Sequence, residues 1–184
     1  MNLTSHFLIA MPGMTDPNFS QTINLICSHD DQGAMGLILN RPTSLTLTQM
    51  LSEHFNATDD KSLQSEKIVY QGGPVATDQG FVLYRDEREW GDTLPVGDDY
   101  LLTTSSEILD AIVGGDGPEH YQVLLGYCGW DAGQLDQEIN DNAWLTIAAD
   151  LETVFHTPSD KQWLAAAAKL GVDLNLMSTD YGHA

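Results

Sequence analysis

The sequence predicts one domain, residues 1–184, of layered α/β or α+β type, with a mixed, largely antiparallel sheet and flanking helices. Three observations lead there. A chain of 184 residues suits one domain with a continuous core. Short apolar runs of strand character outnumber helical patterns. The early runs are joined by turn chemistry, as hairpins, and not by the long crossovers of a regular βαβ winding.

In chain order, His6–Met11 reads as a strand ended by Pro12, with a turn at Asp16-Pro17. Thr22–Ser28 and Ala34–Asn40 read as strands joined through Asp30-Asp31-Gln32-Gly33, a hairpin. Pro42 stops the second of them. Leu47, Met50, Leu51 and Phe55 then recur at helical spacing, and Thr46 with Gln49 forms a capping box. The polar stretch Asn56–Glu66 is expected to be a loop. Strands are expected at Ile68–Tyr70, Gly80–Tyr84 and Tyr100–Thr103. Thr104-Ser105-Ser106-Glu107 caps a helix through Val113, closed by Gly114-Gly115. Tyr121–Leu125 is a buried strand, and Asp131 and Gln134 fit the start of a helix over Ala132–Ile139. Ala143–Ala149 returns as a strand. Thr157, Pro158 and Asp160 open the clearest helix, which ends at Gly171 and turns Trp163, Ala166, Ala167 and Leu170 to the core.

Composition excludes several classes of function. Apolar residues make up 42% and charged residues 18%, the balance of a folded globular chain. Acidic residues outnumber basic ones 27 to 7, for a formal charge of −20. Such a surface repels phosphate backbones and anionic headgroups. Arg41, Lys61, Lys67, Arg85, Arg88, Lys161 and Lys169 are scattered singly and form no basic stripe. No direct nucleic-acid binding and no membrane association are therefore expected. The acidic surface is read first as a solubility device, although it would suit a basic partner. Residues 1–14 contain no Lys or Arg, and their apolar run is too short for a signal segment. A cytoplasmic monomer is expected, with Cys27 and Cys128 as buried free thiols outside any CxxC motif.

The motif search yields no catalytic set, no metal ligands and no cofactor site. None of the six histidines pairs with another ligand at metal-binding spacing. His29-Asp30-Asp31 sits on the hairpin turn. Ser105-Ser106 resembles a nucleophile pair, but Glu107 makes a helix cap the better reading. Cys128 precedes a helix start, where a thiolate gains from the dipole, yet its neighbours in sequence are acidic. Gly126–Gln134 has the strand–glycine–helix order of a phosphate loop without its GK[ST] ending or basic charge.

What remains is a candidate binding cleft where three phrases meet. They are Asn40-Arg41-Pro42, Gly72-Gly73-Pro74, and Tyr127–Gln134, which contributes Tyr127, Gly129, Trp130, Gly133 and Gln134. Each follows or interrupts an apolar strand, where loops carry function on a rigid scaffold. Trp130 and Tyr127 would form an apolar floor, and Arg41 would grip a carboxylate. The competing reading is that the same glycines and Trp130 only pack the core, with Arg41 paired internally. Both stay open on the sequence.

Several phrases together carry a family resemblance. They are His6-Phe-Leu-Ile-Ala-Met-Pro12, Gly33-Ala-Met-Gly-Leu-Ile-Leu-Asn-Arg-Pro-Thr43, Gly72-Gly-Pro-Val75 with Gly80-Phe-Val-Leu83, Thr103-Thr-Ser105, Leu125-Gly-Tyr-Cys-Gly-Trp-Asp-Ala-Gly-Gln-Leu135 with Asn142-Ala-Trp-Leu145, and the closing Gly182-His-Ala184. In these the chain resembles the bacterial YqgE/AlgH family over nearly its whole length. The resemblance implies an α/β sandwich, a cytoplasmic bacterial protein and an indirect role in transcriptional regulation. It supplies no catalytic residue and no cofactor. The resulting expectation is a protein without assigned molecular function that binds another protein or a small ligand through a shallow cleft. The alternative is an enzyme with a small-molecule site at the glycine-rich phrases.

Overall fold

Phe7, Leu8, Ile9 and Ala10 are all fully buried, so strand β1 (His6–Ala10) is covered on both faces. Alternate side chains of a strand point to opposite sides. Phe7 and Ile9 accordingly join one apolar cluster while Leu8 and Ala10 join another. That two-sided burial is why the segment reads as an unbroken apolar run and not as an alternation. The computed structural model describes residues 2–55 and 66–177. The expected loop at 56–66 thus falls outside it except for Glu66, as does the closing Gly182-His183-Ala184.

β1 pairs antiparallel with β2 (Ile23–Asp30), and β2 with β3 (Gly33–Ile38) through the expected turn. Pro42 does not end the chain's extended course. It begins a short strand, β4 (Pro42–Thr46), paired with β5 (Ile68–Gln71). Proline is tolerated at the first position of a strand, where its missing N–H costs no ladder bond. Helix α1 (Leu47–Phe55) follows under the predicted capping box. The Thr46 amide donates to Gln49 Oε1 at 2.9 Å, and the Gln49 amide donates to Thr46 Oγ1 at 3.2 Å.

β6 (Val75–Arg85) starts five residues earlier than the sequence suggests, with a bulge between Val75 and Gly80. β7 (Thr93–Val96) was not anticipated, because Pro95 and the exposed Leu94 mask an edge strand. It pairs with β8 (Tyr100–Thr103), which pairs with β6. Helix α2 (Ser106–Val113) is capped by Ser105, whose hydroxyl accepts from the Glu107 amide at 3.2 Å.

The largest departure is β9, which runs from His120 to Asp131 and does not end at Leu125. Gly126, at φ 72°, lets the strand bend and continue through the stretch read as a loop. Before the bend β9 pairs with β6 and, in parallel, with β5; beyond it Tyr127 still pairs with Val75 of β6, and residues 128–131 pair with β3. One strand therefore joins both halves of a single sheet, ordered β10-β1-β2-β3-β9-β6-β8-β7 with β4 and β5 attached beside β9. β10 is Trp144–Ala148 and lies against β1. The sheet curls far enough for β7 to approach β2. The observed class is a mixed α+β fold with a curled, mostly antiparallel sheet.

Helices cover both faces. α3 (Gln134–Asn140) sets Leu135 into the cluster of Leu8, Ile26 and Ile38. A π-helix (Glu152–His156), α4 (Ser159–Lys169) and α5 (Leu174–Met177) close the opposite cluster through Val154, Ala166, Ala167 and Leu174. α1 and α2 pack Leu47, Met50, Leu51 and Ile108 on Val82, Tyr84 and Val123. α4 begins one residue later than expected. Pro158 is extended, and the Thr157 hydroxyl donates to the Glu152 carbonyl and caps nothing. Leu170, expected in the core, is exposed, and Gln162 is buried in its place. At the other end of α4, Lys169 bonds both Asp150 and Thr153. Burial works against the Asp150 carboxylate, but the bonds from Lys169 and Thr153 outweigh it and hold its carboxyl below the usual range.

The close approach of residues 72–73 to β9 sets the first expected outcome. A Cβ on Gly73 would stand 2.1 Å from the Tyr127 carbonyl carbon, whereas one on Gly80 would meet nothing within 4 Å. Gly73→Ala should destabilise the fold by about 3 kcal/mol, and Gly80→Ala should stay within about 0.5 kcal/mol of the parent in urea unfolding. Equal effects from the two would contradict the packing.

Candidate functional site

The structure brings the first two phrases onto the bend of β9. The Gln71 amide donates to the Arg41 carbonyl at 2.8 Å, the Gly72 amide to the Leu125 carbonyl at 2.7 Å, and the Ile38 amide to the Gly72 carbonyl at 2.7 Å. A Cβ on Gly72 would lie 2.4 Å from the Gly126 carbonyl oxygen. The absent side chains of Gly72 and Gly73 thus make room for the β9 backbone. Pro42 and Pro74 are exposed beside this junction, and Tyr127 is half-buried with its ring edge-on to Phe81 at 5.9 Å.

The rest of the third phrase diverges. Three residues of extended strand carry Trp130 about 10 Å beyond Tyr127. There it is buried against Phe19 and Trp144. Its indole N–H donates to Glu138 Oε2 at 2.9 Å, and that of Trp144 donates to the same oxygen at 2.8 Å. Gln134 Nε2 bonds the other carboxylate oxygen, and its Oε1 accepts from the Asp131 amide. Gly129, Gly133 and Gln134 are exposed, and Gly133, at φ 74°, precedes α3.

Arg41 and Asn40 prove to be braces. The Arg41 guanidinium donates to the Ser20 carbonyl at 2.6 Å and to the Pro17 carbonyl at 3.4 Å. Asn40 accepts from the Ile23 amide and donates to the Gln21 carbonyl. Phe19, on the same connection between β1 and β2, packs edge-on against Trp144 at 5.6 Å. Arg41, Asn40 and the Trp130–Trp144 pair therefore all contact the 11–22 connection. The sequence could not show this, because the ties of Arg41 and Asn40 are to backbone carbonyls about 20 residues away.

The thiols are closed to chemistry as they stand. Cys27 and Cys128 are free and buried. Burial pushes the Cys128 thiol up to about 12. Burial, and then the neighbouring Cys128, push the Cys27 thiol higher still. Among the described residues, no group of three His, Cys, Asp or Glu side chains is placed to hold a metal. No helix among them is long and apolar enough to cross a membrane.

An open concavity of about 350 Å³ lies where β6 and β9 meet α1 and the start of α2. Met50, Phe81, Val82, Leu109, Val123 and Leu125 make its floor, and Asp78 with Thr104, Ser105 and Ser106 its polar side. The sequence missed it because those residues come from four separate segments, and the motif that holds Thr104, Ser105 and Ser106 is accounted for by the helix cap. Met50 is a flexible thioether suited to an adaptable apolar surface.

The curled, helix-covered sheet with this cleft defines a mixed α+β protein with an open, apolar-floored concavity over β6 and β9. Comparison with known proteins places it further: the chain belongs to the AlgH-like family, whose model matches residues 7–175. It is similar to a UPF0301 protein of Thioalkalivibrio sulfidiphilus, 52% identical over all of this chain and 97% of the relative. A UPF0301 protein of Nitrosococcus oceani is 49% identical, over 98% of this chain and 96% of the relative. The solution structure of the AlgH protein from Pseudomonas aeruginosa superposes with a TM-score of 0.83 at 46% identity, covering 100% and 97% of the two chains. A Corynebacterium diphtheriae protein shares the fold alone, at TM-score 0.72 and 18% identity over 96% and 92%.

Trp130→Ala should cost about 3–5 kcal/mol, the range for emptying a buried aromatic site. Arg41→Ala should cost about 1–2 kcal/mol, for two charged hydrogen bonds lost at a partly open position. Chemical denaturation checks both. An Arg41→Ala protein as stable as the parent would remove the bracing role.

Proposed function

We propose that the chain is a binding protein that takes an apolar, basic segment of a partner protein into the cleft between β6, α1 and α2. The lining of that cleft carries the reading. Six largely apolar side chains form a floor too open for a sequestered reaction, and hydroxyls and one carboxylate form the edge. Charge selects the partner: Asp78 stands in the wall, and the chain carries 27 acidic against 7 basic residues. A Lys- or Arg-bearing segment gains from that field, and duplex DNA is repelled by it. A regulatory effect on transcription would then run through a protein partner, with the chain in the cytoplasm. The enzyme alternative draws less support. The glycines at 72, 73 and 126 leave space that the chain's own backbone occupies.

The test uses a synthetic Lys-Leu peptide and a Lys-Ser peptide of equal length and charge, titrated into the full chain at physiological salt. The Lys-Leu peptide should shift the NMR signals of Met50, Leu109 and Leu125 saturably, and the Lys-Ser peptide should not. Leu109→Glu should weaken binding about tenfold, some 1.4 kcal/mol. Equal binding of both peptides, or saturable sequence-specific binding of duplex DNA, would contradict the reading.

A further inference from the structure

A second cavity, of about 220 Å³, opens between strands β5 and β9 on one side and the π-helix and α4 on the other. Its wall contains two buried glutamines from segments 40 residues apart. Gln122 is 8% exposed and Gln162 is 2% exposed. In each, the amide nitrogen is already committed. Gln122 Nε2 donates to the Leu39 carbonyl at 2.8 Å, and Gln162 Nε2 donates to the Thr153 carbonyl at 2.7 Å. A carbonyl can only accept, so these bonds fix which end of each amide faces the backbone. The two Oε1 atoms are thereby turned away from their anchors, and neither has a hydrogen-bond partner among the described residues.

Buried side-chain oxygens are nearly always satisfied, and a pair left over in one small wall calls for a reason. The setting adds two more observations. The carbonyl that anchors Gln162 belongs to the π-helix, a rare, single-turn element that concentrates at functional sites. The rest of the wall mixes aromatic, apolar and polar groups: Tyr70, Tyr121, Val154 and Phe155 stand around the space with Thr157, and Lys67 lies beside Tyr121, its Nζ 3.6 Å from the ring centre.

We propose that this cavity is a binding site for a small aromatic molecule carrying a neutral N–H₂ group, of the primary carboxamide or exocyclic amine class. The two N–H bonds of that group go to Gln122 Oε1 and Gln162 Oε1, and its ring packs between Phe155 and Val154. Both oxygens are buried on side chains that line the cavity. A small turn of each amide about its carbonyl anchor presents them to the cavity. A neutral donor fits better than an ammonium, because the acceptors are uncharged and the Lys67 cation stands at the same cavity. This site meets the apolar cleft only at Val123, which lines both, and neither reading depends on the other.

The experiment titrates the full chain with benzamide and, in parallel, with N,N-dimethylbenzamide, which keeps the ring and carbonyl but lacks N–H. The side-chain NH₂ signals of Gln122 and Gln162 are followed by NMR, each assigned by its disappearance in Gln122→Met or Gln162→Met. Benzamide should shift both signals saturably, together with the backbone signals of Val154 and Phe155, and the dimethyl compound should not. Gln162→Met should lower benzamide affinity at least tenfold while keeping a folded spectrum. Equal response to both compounds would reduce the cavity to an apolar hole and overturn the proposal. So would the absence of any saturable shift at millimolar benzamide, or a ligand-soaked crystal structure with only ordered water on the two oxygens. The comparison of compounds is made on the unaltered chain, so it stands even if a glutamine variant fails to fold.

Discussion

The contact on which the rest of the structure depends is the seating of Gly72 and Gly73 on the bend of β9. β9 is the only described strand that pairs in both halves of the sheet. It bends at Gly126, and the 72–73 backbone lies against that bend so closely that a methyl group on either glycine would collide with main-chain atoms. From this junction the Gly72 carbonyl reaches the Ile38 amide at the end of β3, and the Gly72 amide reaches the Leu125 carbonyl in β9. A loosened junction would unpair β3, β5 and β9 together, and all three apolar clusters draw on those strands.

The same junction explains why a glycine-rich cleft looked plausible. Glycine permits close backbone approach whether the visitor is a ligand or another strand. Here the visitor is β9. The polar and aromatic residues of the same phrases then serve the 11–22 connection, through Arg41, Asn40 and the Trp130–Trp144 pair sharing the Glu138 carboxylate. An open apolar concavity is found elsewhere, over Phe81 and Val82 of β6. The two cavities differ in kind. One is wide, apolar and edged by hydroxyls. The other is narrow and backed by two unpaired amide oxygens.

Local rules recovered what is local. The hairpin at 30–33 and the Thr46–Gln49 capping box were readable because each is settled by residues within four positions of one another. The early strands were readable because two-sided burial writes itself as a continuous apolar run. β9 was cut short because its glycines carry the composition of a loop, and only the tertiary approach of residues 72–73 makes them strand positions. β7 was missed because an edge strand keeps Pro95 and an exposed Leu94. The buried glutamines were missed for a similar reason. Gln122 interrupts an apolar strand and Gln162 stands on a helix face, and their carbonyl partners lie 83 and 9 residues away.

Native-state hydrogen exchange at the Gly72 and Ile38 amides tests the central claim most directly. If the seating of residues 72–73 on β9 holds the two halves of the sheet together, both amides exchange only through global unfolding, with the same opening free energy as the Leu8 and Ile9 amides of β1. Exchange of the Gly72 amide through a local opening, well below the free energy measured for β1, would contradict the account.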